Sequence, residues 1–283
     1  NDLTTTISTI PSVPNLRLIP HLVVLRCEMY QHPVVASPLT ITGLSPCLSI
    51  SVVGLFMAMK KILLSWSSGK DSAWALHVLR QQREYEIAGL ITTINSAFDR
   101  VAMHGTRRVL VEMQAEAAGL PLIATPLPWP CSNADYECAM KQVCDQALTQ
   151  GVSAIAFGDL FLADVRAYRE RQLQGTGLEP IFPIWQIPTD QLARQMIESG
   201  LRAKLVCVDP KQLDPSFVGR DFDQQLLHDL PSGADPCGEN GEFHSFVYGG
   251  PMFSQALPVV AGEKVERDGF WYADVLAAAP ASS

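Results

Sequence analysis

The run Leu63-Leu64-Ser65-Trp66-Ser67-Ser68-Gly69-Lys70-Asp71-Ser72 decides the fold. Lys60 to Leu64 is apolar after two lysines and predicts a buried strand. Ala73, Leu76, His77 and Leu79 recur at helical spacing and predict a helix from about Ser72 to Glu84. Between them lies a short turn of small residues. A tight strand-to-helix turn aims backbone N–H groups and the positive helix end at one spot, which makes an anion site suited to phosphate. Ser67, Ser68 and Ser72 add hydroxyl donors, and Lys70 adds a compact positive charge.

The turn is not a Walker A loop. Leu64 stands where that motif needs Gly, and Asp71 stands where it needs Ser or Thr. Asp71 would repel a phosphate unless a cation lay between them, so Mg²⁺ is expected with the phosphates, with Asp71 as its ligand. A lone Gly-Lys has a duller reading as an ordinary strand-turn-helix corner. The whole run Ser67-Ser68-Gly69-Lys70-Asp71-Ser72 is more specific: it resembles the pyrophosphate loop, Ser-Gly-Gly-x-Asp-Ser, of the adenine nucleotide α-hydrolase superfamily. The resemblance implies cleavage of ATP between its α and β phosphates. Ser68 departs from the pattern, where Gly is usual, and implies a less permissive backbone.

The chain has 283 residues, enough for one large or two small domains. With 47% hydrophobic and 18% charged residues it suits a globular core. A net charge of −8 with no long basic run disfavours nucleic acid as a partner. Cys27, Cys47, Cys131, Cys138, Cys144, Cys207 and Cys237 are scattered and form no Cys-x-x-Cys pair. They read as reduced thiols of a cytoplasmic protein, with Cys131, Cys138 and Cys144 packed along one helix. No run reaches membrane-spanning length, so no membrane is expected.

Residues 1–58 are rich in Ser, Thr, Pro, Val and Leu, have almost no acids, and show no sustained period. They read as an unstructured extension, with translation expected to begin at Met57 or Met59. Intact mass of protein expressed from the native gene tests this; a mature chain beginning at Asn1 would overturn it.

From Lys60 strands and helices alternate. Strands are predicted at Ile87–Ile94, Pro121–Thr125, Ala154–Phe157, Ile181–Ile184 and Leu205–Val208. Helices are predicted at Thr106–Ala118, from the capping-box pair Ser132 and Asp135 to Gln150, at Leu160–Leu173, and from a Thr189 cap to Ser199. The pattern implies an α/β fold, a doubly wound, mostly parallel, Rossmann-like sheet, with ligands at the carboxyl ends of its strands. A smaller α+β portion follows, with Asp268-Gly269 marking a hairpin. The expected division is a nucleotide-binding domain at 59–180 and a substrate-binding domain at 181–283.

Polar groups just past strand ends are candidate ligands for the nucleotide: Asn95, His104, Gly158 and Asp159, beside Ser67, Ser68, Gly69, Lys70 and Ser72. The run Gly238-Glu239-Asn240-Gly241-Glu242-Phe243-His244 is dense in acids and glycines. Glu239 and Glu242 there could orient an amine or metal, and His244 could move a proton. With Lys70 and Asp71 these are the candidate catalytic residues. Each has a bland alternative: His104 packing, Asp159 capping a helix, Arg166 and Arg169 forming a solvated helix face.

These motifs carry a second resemblance. From about Met59 to Val275 the chain resembles the diphthine–ammonia ligase family through the serine-rich loop, Met103-His104-Gly105, Gly158-Asp159-Leu160 to Arg166, Phe182-Pro183-Ile184-Trp185 and Cys237 to Phe243. In those ligases the late motif is closer to Glu-Gly-Gly-Glu-Phe-Glu-Thr. Asn240 and His244 depart from it and bring the chain nearer to bacterial relatives of unsettled role. The resemblance implies an ATP-dependent ligase that adenylates a carboxylate, on a small molecule or a protein side chain, and admits ammonia. A homodimer is left open. Two other functions fit the loop: a tRNA-modifying adenylating enzyme, disfavoured by the acidic balance and missing cysteine pairs, and a non-catalytic ATP sensor, disfavoured by the polar 238–244 run. Stimulation by tRNA and release of pyrophosphate separate them.

Overall fold

The computed structural model describes residues 59–101 and 105–279. All belong to one of the chain's two compact units, Leu55–Ser283. The expected extension at 1–58 and the candidate His104 lie outside the described residues.

The elements follow in chain order as β1 (Lys60–Ser65), α1 (Lys70–Gln82), β2 (Tyr85–Asn95), β3 (Arg100–Val101), α2 (Arg108–Ala118), β4 (Leu122–Leu127), α3 (Asn133–Thr149), β5 (Ala154–Ala156), α4 (Ala163–Leu173) and β6 (Glu179–Ile181). They build the first sheet. Strands β4, β2, β1, β5 and β6 lie side by side, all parallel, and β3 adds an antiparallel pair to the end of β2. The order reverses beside β1, so the crevice beyond β1 and β5 is the place where such sheets take ligands.

Alternation along β1 explains why both faces are covered. Ile62 and Leu64 enter one cluster with Ala73, Leu76 and Leu79 of α1; Leu63 enters another with Val143 of α3, Ile155 and Leu173 of α4. Leu76 and Leu79 are fully buried, each contributing about 1.5–3 kcal/mol.

The chain continues through α5 (Thr189–Glu198), β7 (Arg202–Val208), α6 (Gln224–Asp229), β8 (Phe243–Gly249), β9 (Val259–Arg267) and β10 (Phe270–Ala277). Here the structure corrects an expectation. The Leu205–Val208 run is not a sixth parallel strand; it belongs to β7, in a second sheet of order β8-β7-β10-β9 that is antiparallel throughout. Its apolar residues are buried on both faces, and such a run reads alike in either kind of sheet. The hairpin joining β9 and β10 is as expected: Asp268 and Gly269 both have left-handed φ, 50° and 82°, which a two-residue I′ turn requires.

The Ser132–Asp135 capping box closes the start of α3. Thr189 does not cap α5: Pro188 stands there, and the Thr189 hydroxyl donates to Asp235 at 2.7 Å. The five described cysteines form no disulfide, but Cys131 and Cys138 are exposed and only Cys144 of that trio packs in the core. No helix among the described residues is long and apolar enough to cross a membrane. One core cluster runs from Leu64 and Leu76 through Leu192 and Met196 to Leu205, Phe243 and Val247, so the two sheets share a continuous interior.

Candidate active site

Beyond the carboxyl ends of β1 and β5 lies a cleft of about 1170 Å³. Its wall includes Ser67, Lys70, Asp71 and Ser72 from the β1–α1 corner, Gly158 and Asp159 after β5, and Glu239 and His244 from the second sheet's side. The serine-lined corner and the acidic loop, 170 residues apart in sequence, therefore open into one space.

The corner is knitted by its own hydroxyls. Ser72 Oγ donates to the Gly69 carbonyl (3.1 Å), Ser67 and Ser72 hydroxyls meet at 3.1 Å, and the Gly69 amide donates to Ser67 Oγ. The Lys70 amide, first of helix α1, donates to Ser245 Oγ of β8 at 3.1 Å. Gly158 presses on the same first turn. A Cβ there would lie 2.8 Å from backbone atoms of Asp71 and Ser72, so only glycine allows β5 to close on the corner.

Ser68 is turned away from the cleft. It has φ 72°, the left-handed conformation that glycine adopts freely, and is fully buried. Its hydroxyl meets that of Thr106 at 2.8 Å, and its carbonyl accepts from the Val247 amide and from Gln114. Serine here exchanges backbone freedom for an anchor.

Lys70 is buried, and its ammonium donates to both oxygens of Asp71, at 3.0 and 2.9 Å, near the rings of Phe243 and Phe222. Burial opposes its charge, but Asp71, Cys237 and Glu239 together outweigh burial and hold the Lys70 pKa above its ordinary value. Among the described residues no three His, Cys, Asp or Glu groups gather closely enough to hold a metal on their own. A single half-exposed carboxylate such as Asp71 suits a cation that takes its other ligands from phosphate and water.

The 235–244 loop is held from within. Asp235 Oδ1 accepts from the amides of Cys237 (2.7 Å) and Glu239 (3.3 Å). Glu242 is 2% exposed and accepts from the Asp235 amide (2.7 Å), the Asn240 amide (3.0 Å) and Asn240 Nδ2 (3.1 Å). Its carboxylate is committed to the loop and does not line the cleft, against the expectation that it would act on a ligand. Glu239 does line the cleft and accepts from the Phe161 amide at 2.9 Å. Burial, with Asp71 nearby, raises the Glu239 pKa. Burial and then Lys70 lower that of His244, which favours the neutral imidazole able to take a proton. Burial pushes the Cys237 thiol up to about 12.

Asn95 is not brought to the cleft. Its Oδ1 accepts from the Ala97 amide at 3.0 Å and shapes the turn before β3. Other residues arrive that the motifs did not flag. Gln114, on α2, is fully buried; it accepts from Trp66 Nε1 (2.8 Å) and donates to the carbonyls of Ser68 (3.0 Å) and Val247 (2.6 Å). A glutamine on the same face as Val111, Ala115 and Ala118 was the available signal. Arg169 and Tyr136 line the cleft too, but α4 is polar on most positions and gives no periodicity to set Arg169 apart.

A doubly covered parallel sheet with a serine-lined corner at its switch point has the architecture of the adenine nucleotide α-hydrolases. Family models narrow this further: residues 59–180 match the diphthamide synthase N-terminal domain, and residues 188–276 match the diphthamide synthase C-terminal domain. The chain belongs to the diphthamide synthase family. It is similar to the diphthine–ammonia ligases of Danio rerio (29% identity, covering 70% of this chain and 86% of the relative), Bos taurus (27%, covering 58% and 67%) and Homo sapiens (30%, covering 44% and 48%).

Proposed function

We propose that the protein is an ATP-dependent, amide-forming ligase. A carboxylate oxygen attacks the α-phosphorus of ATP, the bond to the β-phosphate breaks, and pyrophosphate leaves. Ammonia then attacks the acyl carbon, AMP departs, and the excess proton passes to a base. A carboxylate resists ammonia because its leaving group would be oxide; the adenylate supplies a far better one. The observation that carries the reading is the sharing of one cleft by the β1–α1 corner and the Glu239–His244 side.

Ser67, Ser72 and the Asp71 and Ser72 amides in the first turn of α1 are the groups suited to the departing pyrophosphate, with Lys70 adding charge. Preorganised donors of this kind stabilise developing charge without reorganising. Asp71 would hold Mg²⁺, which when bound neutralises phosphate charge. Glu239 is placed to orient ammonium, and neutral His244 to accept the proton released as the amide forms. In this reading residues 59–180 grip the nucleotide, residues 181–283 shape the acceptor side, and the protein acts in the cytoplasm. The name of its relatives makes diphthine the first acceptor to try.

The experiment is incubation with ATP, Mg²⁺, ammonium and either a diphthine-bearing protein or a metabolite extract, read by mass spectrometry. An amide product with stoichiometric AMP and pyrophosphate is expected. Formation of ADP would overturn the reading. Asp71→Asn should flatten the Mg²⁺ titration, and identical titrations for both proteins would remove that role.

A further inference from the structure

Phosphate binding at the corner leaves a charge problem in the rest of the cleft. The wall carries four carboxylates, Asp71, Asp159, Asp209 and Glu239, and two strong cations, Lys70 and Arg169. Lys70 already donates to Asp71. Arg169 is different. Its Nε lies 3.7 Å from Asp159 Oδ2, close enough for an ion pair but too far for a hydrogen bond. Both atoms are buried, and neither has a hydrogen-bond partner among the described residues. Buried polar groups are nearly always partnered, so two unbonded atoms on neighbouring residues of the cleft wall call for an explanation.

The guanidinium is nevertheless held in place. Its Nη1 donates to Tyr136 Oη at 3.3 Å, and it stacks over Phe157 at 5.1 Å. Its position follows from the fold. Gly158 touches the first turn of α1, Asp159 is the next residue, and Arg169 pairs with Asp159. Arg169 therefore stands beside the corner. The same wall carries the apolar side chains Ile91, Leu127, Met140 and Phe157, a surface suited to a purine. A nucleotide with its tail in the corner and its base on that surface would bring its α-phosphate to the side of the cleft that Arg169 lines.

We infer that Arg169, seated by Tyr136, Phe157 and Asp159, is a second oxyanion subsite, separate from the corner, that takes the α-phosphate of ATP. This rests on the ligase reading above and adds the group that bears on the phosphorus under attack. A planar fork with a fixed orientation suits a phosphate better than a mobile ammonium does. The acceptor carboxylate offers similar oxygen chemistry and is the competing source of the anion.

The first arm of the test needs no acceptor. Affinities of the full-length protein for adenosine, AMP and pyrophosphate are compared across wild type, Arg169→Met and Arg169→Lys, with thermal unfolding as a check on folding. Wild type should prefer AMP to adenosine by at least about tenfold, the scale of one charge-assisted contact. Arg169→Met should lose that preference while adenosine and pyrophosphate bind within about twofold of wild type; Arg169→Lys should recover part of it. If Arg169→Met keeps the full preference for AMP, the subsite is not there. A raised KM for a diphthine-bearing acceptor in the same variant would then assign the arginine to the carboxylate. If all three affinities fall together, Arg169 supports the fold only. Wild type binding neither AMP nor pyrophosphate would instead bring down the ligase reading itself.

Discussion

The β1–α1 corner and the 235–244 loop line one cleft but are built differently. The corner is held by its own hydroxyls and by side chains from elsewhere in the fold. Its hydroxyls are shared among Ser67, Gly69 and Ser72, and its outside support comes from Ser245, Thr106, Gln114 and Gly158. The loop is held mostly by its own carboxylates, with Thr189 and Gln212 bonding it from outside. Asp235 and Glu242 use their carboxylates on neighbouring amides, and Glu239 and His244 are the titratable side chains, besides the Cys237 thiol, that line the cleft. An anion site needs converging donors, so Ser67, Lys70 and Ser72 all line the cleft while Ser68 anchors the turn from behind. A site for ammonia needs one or two polar groups held still, so most of the loop's polarity goes into stiffness.

That contrast can be broken at its strongest point first. Lys70→Ala removes the buried cation of the corner and leaves Asp71 without its partner; we expect a loss of about 2–4 kcal/mol in kcat/KM for pyrophosphate release. Unchanged turnover would show that the corner does not stabilise the leaving group. Gly158→Ala tests outside support by pushing a methyl into the first turn of α1. Displacing a positioned group by about an ångström costs on the order of 10²-fold, read as turnover at saturating ATP. Gln114→Leu leaves the Trp66 N–H and the Ser68 and Val247 carbonyls to find other partners, and should lower unfolding free energy in urea by about 1–3 kcal/mol.

The loop is divided by a paired comparison. Glu242→Gln replaces one acceptor oxygen with a donor facing amide N–H groups. It should cost about 1–3 kcal/mol of stability. Glu239→Gln should leave stability alone and slow the ammonia-dependent half-reaction, with pyrophosphate release intact. If both variants behave alike, the separation of stiffening from chemistry is wrong. The smallest effect concerns Asp274 of β10, which pairs with Arg100 and Arg107 on the first sheet's side. Burial raises its pKa, but the two arginines outweigh that and hold it below the usual aspartate value. The folded state therefore gives up protons more readily than the unfolded one. Its stabilisation is fully present above about pH 4 and is lost as pH falls through its folded value. The stability difference between wild type and Asp274→Asn should be flat from neutral pH to about 5 and shrink below about 4. A constant difference across that range would remove the ion pair from the account.

The parallel sheet was legible because its signals are local. Lys60–Leu64, the apolar, β-branched run Ile87–Ile94 and the Ser132–Asp135 pair each state their element within a few residues. The second sheet's pairing was not, because β7 follows a helix as a parallel strand would and its burial comes from elements distant in sequence. At the site, Ser67, Lys70, Asp71 and Ser72 were readable as a contiguous run. Ser68 was read as one of them, and only its left-handed φ reveals that its hydroxyl points to Thr106. Glu242 looked identical to Glu239 in sequence; which carboxylate bonds its own loop depends on how the chain turns at Gly238 and Gly241. Arg169, like Arg166, also reads as a solvated helix face, since no pattern in α4 marks the side that meets the cleft.

The continuous interior between the sheets has a practical consequence. A fragment severed near residue 180 would lose Ser245, which meets the Lys70 amide, and Val247, which bonds the Ser68 carbonyl and Gln114. It would also bare to water the apolar flank of α1 that packs toward β8. Such a half is expected to aggregate rather than bind nucleotide, so separate expression of the two segments matched by the family models is a poor route to either activity. Co-expression of both pieces, allowing the seam to close between them, is the route that this anatomy favours.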